Sequence, residues 1–352
     1  MFFGADKDHA AYYSFVTFLL LFTATTLFLL ALLTRTLLER IYPDQAGRTR
    51  SLLVGVTWAL FVLSPPILFF VKYPVRGAPN DMLGYSLMLA ALLCMSLRRI
   101  FWFGAISTIA VFCRETTLLI PFIFLFFDPL PLRKKLLAVL LPVATLVMYR
   151  ILWPGPYNPL SAGIELNLKV PVETMSYVLL TFGPLWILGA LGCASLRRLE
   201  TARADSFVRT LTTSFPWGVL LTMGICTAFS SLWEIRTAYI LLFYFVPFSM
   251  VALYQERARI AALRKSKYFI FFVVALLIET VRFWFWMHPL TGDELIDRAR
   301  MFDNIFYGYW DMPRNNWVNI LMVYLPLTVG CLPFLAFAAA PPADPSRKKA
   351  LN

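Results

Sequence analysis

The sequence predicts an all-α protein, a polytopic bundle of about 10–11 transmembrane segments. Three observations support this fold class. The 352-residue chain is 59% hydrophobic with a mean hydropathy of +0.69, and only 15% of its residues are charged. Apolar segments also recur from one end of the chain to the other without a long polar linker. A soluble domain of this length could not bury so much apolar surface.

The predicted membrane segments follow one another at short intervals. They span 11–34, 52–71, 82–97, 100–113, 117–127, 136–152, 176–194, 212–231, 237–254, 268–287 and 317–339. We therefore expect a single integral membrane domain over residues 1–352. The same pattern predicts outer loops at 73–81, 153–175 and 288–316 and a basic cytoplasmic tail at 340–352.

The distribution of basic residues predicts the orientation. Most of the 32 lysines and arginines lie in six connections: 35–51, 98–99, 133–135, 197–209, 257–267 and 347–349. Cytoplasmic loops of membrane proteins carry such an excess of Lys and Arg. We therefore expect these connections and the C terminus in the cytoplasm and the N terminus outside. This bias, rather than nucleic-acid binding, accounts for the net charge of +12, because no nucleic-acid-reading motif accompanies it.

The segment AVFCRETTLLIPFIFLFF places Arg114 and Glu115 inside an otherwise apolar run. A charge at the centre of a membrane helix costs roughly 2.5–3.5 kcal/mol. Both flanking basic connections are expected inside, yet the residues between them are too few for two full spans. A short helical hairpin with its tip at Arg114–Thr116, near the outer interface, satisfies both constraints. The alternative is one long tilted helix with both charges paired to neighbours.

The predicted topology gathers polar residues from distant segments at the outer face. They are Asp6, Asp8, Asp81, Arg114, Glu115, Glu234 and Arg236. Arginine reads phosphate through its planar fork of donors, and a carboxylate accepts a proton from a hydroxyl. This combination suits a substrate with a phosphate and a hydroxyl-rich part.

Structural roles are the alternative for each of these residues. Arg114 and Glu115 are adjacent and do not face each other on a helix, so partners such as Glu234 or Arg236 are expected. A purely structural ion pair between hairpin and bundle would account for Arg114. Glu234 and Arg236 could be interfacial anchors, and Asp81 could be a helix N-cap.

Several function classes lack their sequence signatures. The chain has no phosphate-binding loop, dinucleotide-binding glycine motif or metalloprotease motif. The two histidines, His9 and His288, are far apart, and the five cysteines lie in apolar segments without a CxxC pair. We therefore predict no resident metal site from these residues.

Two stretches resemble bacterial polytopic membrane glycosyltransferases of the GT-C class. The first covers residues 55–130, with the acidic helix start NDMLGYS, the basic pair Arg98–Arg99 and the polar tip CRETT. The second is LWEIR within 228–250. Together they cover about a quarter of the chain, and their motifs are short.

The resemblance implies a transferase that uses a polyprenyl-phosphate-linked sugar at the outer face of the bacterial plasma membrane. It implies Asp8 or Asp6 as catalytic base, with Glu115 as a further candidate, and Arg114 and Arg236 as phosphate ligands. Glu234 and Asp81 would orient groups. Some members need a divalent cation, so Mg²⁺ or Mn²⁺ is the expected cofactor if there is one. The usual helix before the catalytic loop is missing, so either GADKDHAAYY is the equivalent loop or the start is truncated.

Two other functions remain open at this stage. The first is a transporter or flippase for a lipid-linked or anionic solute, because intramembrane charges also mark transport paths. Transporters often contain internal repeats, which this sequence does not show. The second is a catalytically inactive membrane subunit of a polysaccharide assembly system.

Overall fold

A computed structural model describes residues 7–43, 79–152, 182, 185–229, 239–255 and 274 of the chain. Within these residues the fold is all helical. Its α-helices are α1 Lys7–Ile41, α2 Pro79–Ser96, α3 Ile100–Cys113, α4 Leu119–Phe124, α5 Leu132–Leu152, α6 Leu185–Arg198, α7 Glu200–Ala204, α8 Ser206–Phe229 and α9 Leu242–Gln255. Two 3₁₀ turns, Glu115–Leu118 and Tyr239–Leu241, precede α4 and α9. The predicted all-α class is confirmed for this part of the chain.

Each described helix of ten or more residues overlaps a predicted segment, and the 100–113 segment has the predicted bounds. Helices α1, α6 and α8 depart from their predicted bounds by up to nine residues at one end. Segments 52–71 and 317–339 lie outside the described residues, as do the loops 153–175 and 288–316 and the tail 340–352. By backbone packing the chain divides into two compact units, Met1–Ala252 with Phe306–Met312, and Leu253–Ile305 with Pro313–Asn352. The account below concerns the first unit. The single-domain organisation stays a prediction.

Helices α1 and α2 run parallel, side by side. The Thr26 hydroxyl lies 2.8 Å from the Ser86 hydroxyl and donates to the Met82 carbonyl at 3.1 Å. One helix length further on, Arg40 at the end of α1 donates to the Ser96 carbonyl at the end of α2, at 2.6 Å. These contacts fix the register of the two helices.

Helix α2 ends in a tight turn that sends α3 back alongside it. The Cys94 carbonyl accepts the N–H of Arg99 at 2.8 Å, and the Met95 carbonyl accepts that of Arg98 at 3.0 Å. This bonding pattern is a Schellman motif. Its C′ residue, Arg98, has φ = 57°, a left-handed conformation that glycine adopts at the lowest cost.

Helix α3 stops at Arg114, where the chain turns back on itself. Arg114 is extended (φ −162°, ψ 132°), and the 3₁₀ turn and α4 follow it. The ring of Phe103, near the start of α3, stacks on that of Phe124, at the end of α4, with 4.3 Å between centroids. The two arms are therefore antiparallel, as the predicted hairpin requires. The alternative of one continuous helix is wrong.

Helix α9 is buried along almost its whole length. Its residues from Leu242 to Val246 are all buried, as expected for a helix that is apolar on every side. Helix α6 approaches it through glycines. A Cβ at Gly189 would lie 2.5 Å from the Phe245 ring, and one at Gly192 would overlap the Phe248 carbonyl. Small residues allow such close backbone contact between helices.

The connections at one end of the bundle are joined by ion pairs. Asp205 accepts the N–H groups of Phe207 and Val208 at 2.9 Å each and so caps the N terminus of α8. Its second oxygen accepts a hydrogen bond from Arg40 at 2.8 Å. Arg209 pairs with Asp128 at 2.8 Å, which brings the α4–α5 connection to the same end. We call this end, with the connections 97–99, 125–131 and 199–205, the basic end.

Two described helices are long and apolar enough to cross a membrane, Thr17–Ile41 and Leu132–Leu152. Helix α5 has one buried residue, Pro142. Its exposed large apolar side chains are Leu132, Leu136, Leu137, Leu140, Leu141, Val143, Val147, Met148, Ile151 and Leu152. A continuous apolar face of this kind marks a membrane or protein contact.

We expect Gly192→Ala to destabilise the protein by about 1–3 kcal/mol, because the added methyl meets the Phe248 carbonyl, which cannot move without the helix. Gly104→Ala is the matched control, since nothing lies within 4 Å of a Cβ there. The control should be neutral or stabilising by up to about 1 kcal/mol. Thermal unfolding in detergent compares the two, and equal midpoints would contradict the close contact.

We expect Asp205→Ala to cost about 1–2 kcal/mol through loss of the α8 cap and the Arg40 pair. Asp205→Asn keeps a capping side chain without the charge and should cost less. The difference between the two variants in chemical unfolding measures the cap alone. A larger cost for asparagine than for alanine would rule out the capping role.

Candidate functional site

The end opposite the basic end holds a buried ion pair. Arg114 Nη1 contacts Asp81 Oδ1, and the two side chains are only 15% and 7% exposed. Asp81 lies in the first turn of α2, where the helix dipole favours an anion, and Arg114 lies at the break that ends α3. Because α2 and α3 are antiparallel, their first and last turns meet here.

The sequence around the pair allows α2 and the hairpin tip to come close. Gly84, one turn after Asp81, has Thr117 Cγ2 at 3.6 Å and Arg114 Cβ at 3.7 Å from the position of a Cβ. The Thr117 hydroxyl donates to the Arg114 carbonyl at 2.6 Å and holds the extended residue in place. The neighbouring Thr116 hydroxyl is buried and has no hydrogen-bond partner among the described residues.

A second ion pair lies beside the first and is far more exposed. Glu115 Oε1 contacts Arg150 Nη2 near the end of α5, and the side chains are 46% and 44% exposed. The ring of Phe112 packs edge-on against Tyr149, with 5.8 Å between centroids, which holds α3 and α5 together at this level. We call Asp81, Arg114, Glu115 and Arg150 the tip cluster.

The structure brings three of the predicted site residues together, Asp81, Arg114 and Glu115. It does not bring Asp8 to them. Thr26 lies level with the first turns of α2, and the unbroken α1 carries Asp8 on the order of 20 Å further along the axis. Asp6, Glu234 and Arg236 lie outside the described residues. Their roles stay predictions.

The described partners of Arg114 and Glu115 are Asp81 and Arg150. Glu234 and Arg236, the partners expected from the sequence, lie outside the described residues, so that expectation stays a prediction. The ion pair between hairpin and bundle, one of the two interpretations of Arg114, is present. The interpretation of Asp81 as an N-cap is wrong, because α2 begins at Pro79 and Asp81 is its third residue. Proline at the first helical position is favourable.

Sequence reasoning missed Arg150, which lies within the predicted 136–152 segment. One signal was available. Arg150 lies at the opposite end of that segment from Arg133 and Lys134, so it could not join their cytoplasmic cluster. A single cation at the far end of an apolar helix predicts a contact with a carboxylate at the same end of the bundle. Glu115, at the predicted hairpin tip, was such a carboxylate.

The tip cluster does not fit the divalent cation that the resemblance implies. Among the described residues no group of three or more His, Cys, Asp or Glu could hold a metal ion. Each carboxylate of the cluster already contacts a guanidinium, and Mg²⁺ or Mn²⁺ there would face two fixed positive charges. We therefore assign no metal-dependent step to these residues.

The chain was compared with protein-family models, curated proteins and solved structures, and none of them matches it. Function must therefore be argued from the tip cluster and its place in the fold.

We expect Asp81→Leu and Arg114→Leu each to destabilise the protein by about 3–5 kcal/mol, because either change breaks a buried ion pair by removing one partner. The double variant removes both charges and should be more stable than the sum of the single effects predicts, by at least about 2 kcal/mol. Unfolding in detergent gives all three values. Additive effects would show that the two side chains do not interact.

Proposed function

We propose that the protein is a membrane glycosyltransferase of the GT-C type, which transfers a sugar from a polyprenyl-phosphate donor to an envelope acceptor. The observation that carries the proposal is the tip cluster. A buried pair, Asp81–Arg114, supports an exposed pair, Glu115–Arg150, at the end away from the basic connections. Two cations and an accessible carboxylate are the groups that such a transfer needs.

A membrane location is supported by the two long apolar helices and by the exposed apolar face of α5. The distribution of charge supports the orientation. The turns with Arg98 and Arg99, Arg133 to Lys135, and Arg197 and Arg198 lie at the basic end, which the positive-inside rule assigns to the cytoplasm. The tip cluster would then face the outside of a bacterial plasma membrane, with the N terminus of α1 on the same side.

The two carboxylates of the tip cluster, Asp81 and Glu115, differ in solvent exposure, and this difference assigns them different roles. A general base must reach the hydroxyl whose proton it takes. Asp81 is buried against Arg114 and is poorly placed for this, whereas the Glu115 side chain is half exposed. We therefore assign Glu115 as the base and Asp81 as a positioning residue for Arg114. Asp8 lies too far along α1 to join this cluster.

The exposed pair provides a way to couple donor binding to base activation. The donor phosphate would take the place of Glu115 on the Arg150 guanidinium, because phosphate is also a bidentate partner for arginine. This exchange would release the Glu115 carboxylate beside the bound sugar. Arg114, held by Asp81, would supply a second positive charge near the phosphate.

The transfer itself would be a single displacement. The acceptor hydroxyl oxygen bonds to the anomeric carbon, and the bond from that carbon to the phosphate oxygen breaks. The electron pair leaves with polyprenyl phosphate, whose charge the guanidinium groups stabilise. The hydroxyl proton passes to Glu115, and the product has the inverted configuration.

One observation favours a second candidate, the catalytically inactive membrane subunit. Both charges of the hairpin tip are already neutralised by protein partners, Asp81 and Arg150, as a purely structural joint requires. In that case the tip would hold the hairpin against α2 and α5 without binding a donor.

We expect membranes that contain the protein to release polyprenyl phosphate from a polyprenyl-phosphate sugar, and Glu115→Gln to reduce the rate by about 100-fold or more. Arg150→Gln should raise the donor KM. Glu39→Gln is the matched control, because this carboxylate also forms an exposed ion pair, with Arg35 at 2.8 Å, but lies at the basic end.

Three outcomes separate the candidates. Unchanged release by Glu115→Gln would exclude Glu115 as the base while the activity itself stands. No release by the wild type from any polyprenyl-phosphate sugar would favour the inactive subunit. Movement of intact donor across sealed vesicles, with no bond broken, would instead indicate a flippase.

A further inference from the structure

We propose that the turn between α2 and α3 binds the headgroup of an anionic phospholipid at the basic end of the bundle. The site consists of Leu97, Arg98, Arg99, Phe101 and Trp102, which we call the basic–aromatic turn. This inference needs a membrane but does not depend on sugar transfer.

The apolar part of the turn is unusually open. Leu97, Phe101 and Trp102 are 66%, 78% and 58% exposed, on both sides of the two arginines. The Phe101 and Trp102 rings pack edge to face at 5.5 Å between centroids, which presents them as one surface. Aromatic rings at the level of lipid headgroups are typical of the membrane–water interface.

The cationic part of the turn lacks a counter-charge within the described chain. Arg98 and Arg99 are both exposed, and neither forms an ion pair with any described residue. On the packed helix α1, Arg40 binds the Ser96 carbonyl close to the turn, and its charge is paired with Asp205. The local field at the turn is therefore positive.

The backbone at Arg98 adds an independent argument. Its φ of 57° closes the Schellman motif, where glycine is the residue of lowest cost. An arginine side chain at this position is not required by the turn geometry. Arginine therefore stands here at a backbone cost that glycine would avoid, and its guanidinium is available for a contact outside the chain.

Exposed apolar side chains beside two exposed arginines identify the chemistry of the ligand. A soluble phosphate would use the two guanidinium groups but would leave three apolar side chains in water. A phospholipid satisfies both, because its phosphate pairs with Arg98 and Arg99 while its acyl chains cover Leu97 and the two rings. An anionic headgroup such as phosphatidylglycerol, abundant at a cytoplasmic surface, fits the net positive charge.

The experiment measures binding of fluorescent phosphatidylglycerol to the full-length protein in detergent micelles. We expect Arg98→Gly to bind about fivefold more weakly and the double variant with Arg99→Gln about 25-fold more weakly. Arg98→Gly relieves the left-handed backbone, so its thermal midpoint in phosphatidylcholine should equal or exceed that of the wild type. Weaker binding therefore cannot be attributed to a damaged fold.

The matched control replaces a second basic pair at the same end, Arg133→Gln with Lys134→Gln, which has no aromatic neighbours in sequence. Its affinity should change less than twofold. Equal losses in the two double variants would overturn the proposal in favour of a diffuse charge effect, and unchanged affinity in the Arg98 and Arg99 variants would also overturn it. If soluble glycerol phosphate displaced the fluorescent lipid as effectively as unlabelled phosphatidylglycerol does, a phospholipid would be excluded as the ligand.

Discussion

The buried pair of Asp81 and Arg114 is the constraint on which the described bundle depends. It joins the first turn of α2 to the point where α3 stops, so it fixes where the chain turns back and where α4 can pack. Each charge lowers the cost of burying the other, since removing one partner of a buried ion pair costs several kcal/mol. Gly84 makes the contact possible, because it leaves room on α2 for the backbone of Arg114 and Thr117.

A second constraint acts in the interior, where the backbones of two helices come into close contact. Helix α9 supplies bulky aromatic side chains, and α6 supplies glycines opposite Phe245 and Phe248. The hydroxyl groups of Ser214 and Tyr244 meet at 2.6 Å within this packing, so these polar atoms are not left unpaired in the core.

These two constraints account for the separation of charge between the ends of the bundle. At the basic end, Asp205 and Asp128 tie cationic connections together, and the excess of arginine and lysine remains exposed. At the other end the charges are few and are matched in pairs, one buried and one exposed. An exposed pair can exchange a partner for a ligand at little cost, whereas a buried pair cannot. The proposed chemistry and the proposed lipid contact follow from this difference.

The sequence by itself determined the helical class and the approximate positions of most described helices, because apolar run length and charge position act locally and are visible in one dimension. The short spacing between Arg98–Arg99 and Arg133 favoured a chain reversal near Arg114 but left one continuous helix as the alternative. Only the tertiary structure decided the partners of the charged residues. Arg114 with Asp81, Glu115 with Arg150 and Arg40 with Asp205 are separated by 33, 35 and 165 positions. Such pairs depend on helix register and on glycine contacts such as Gly84, which composition and periodicity do not specify. The same register placed Asp8 along α1 away from the tip, where the linear sequence could not measure the distance.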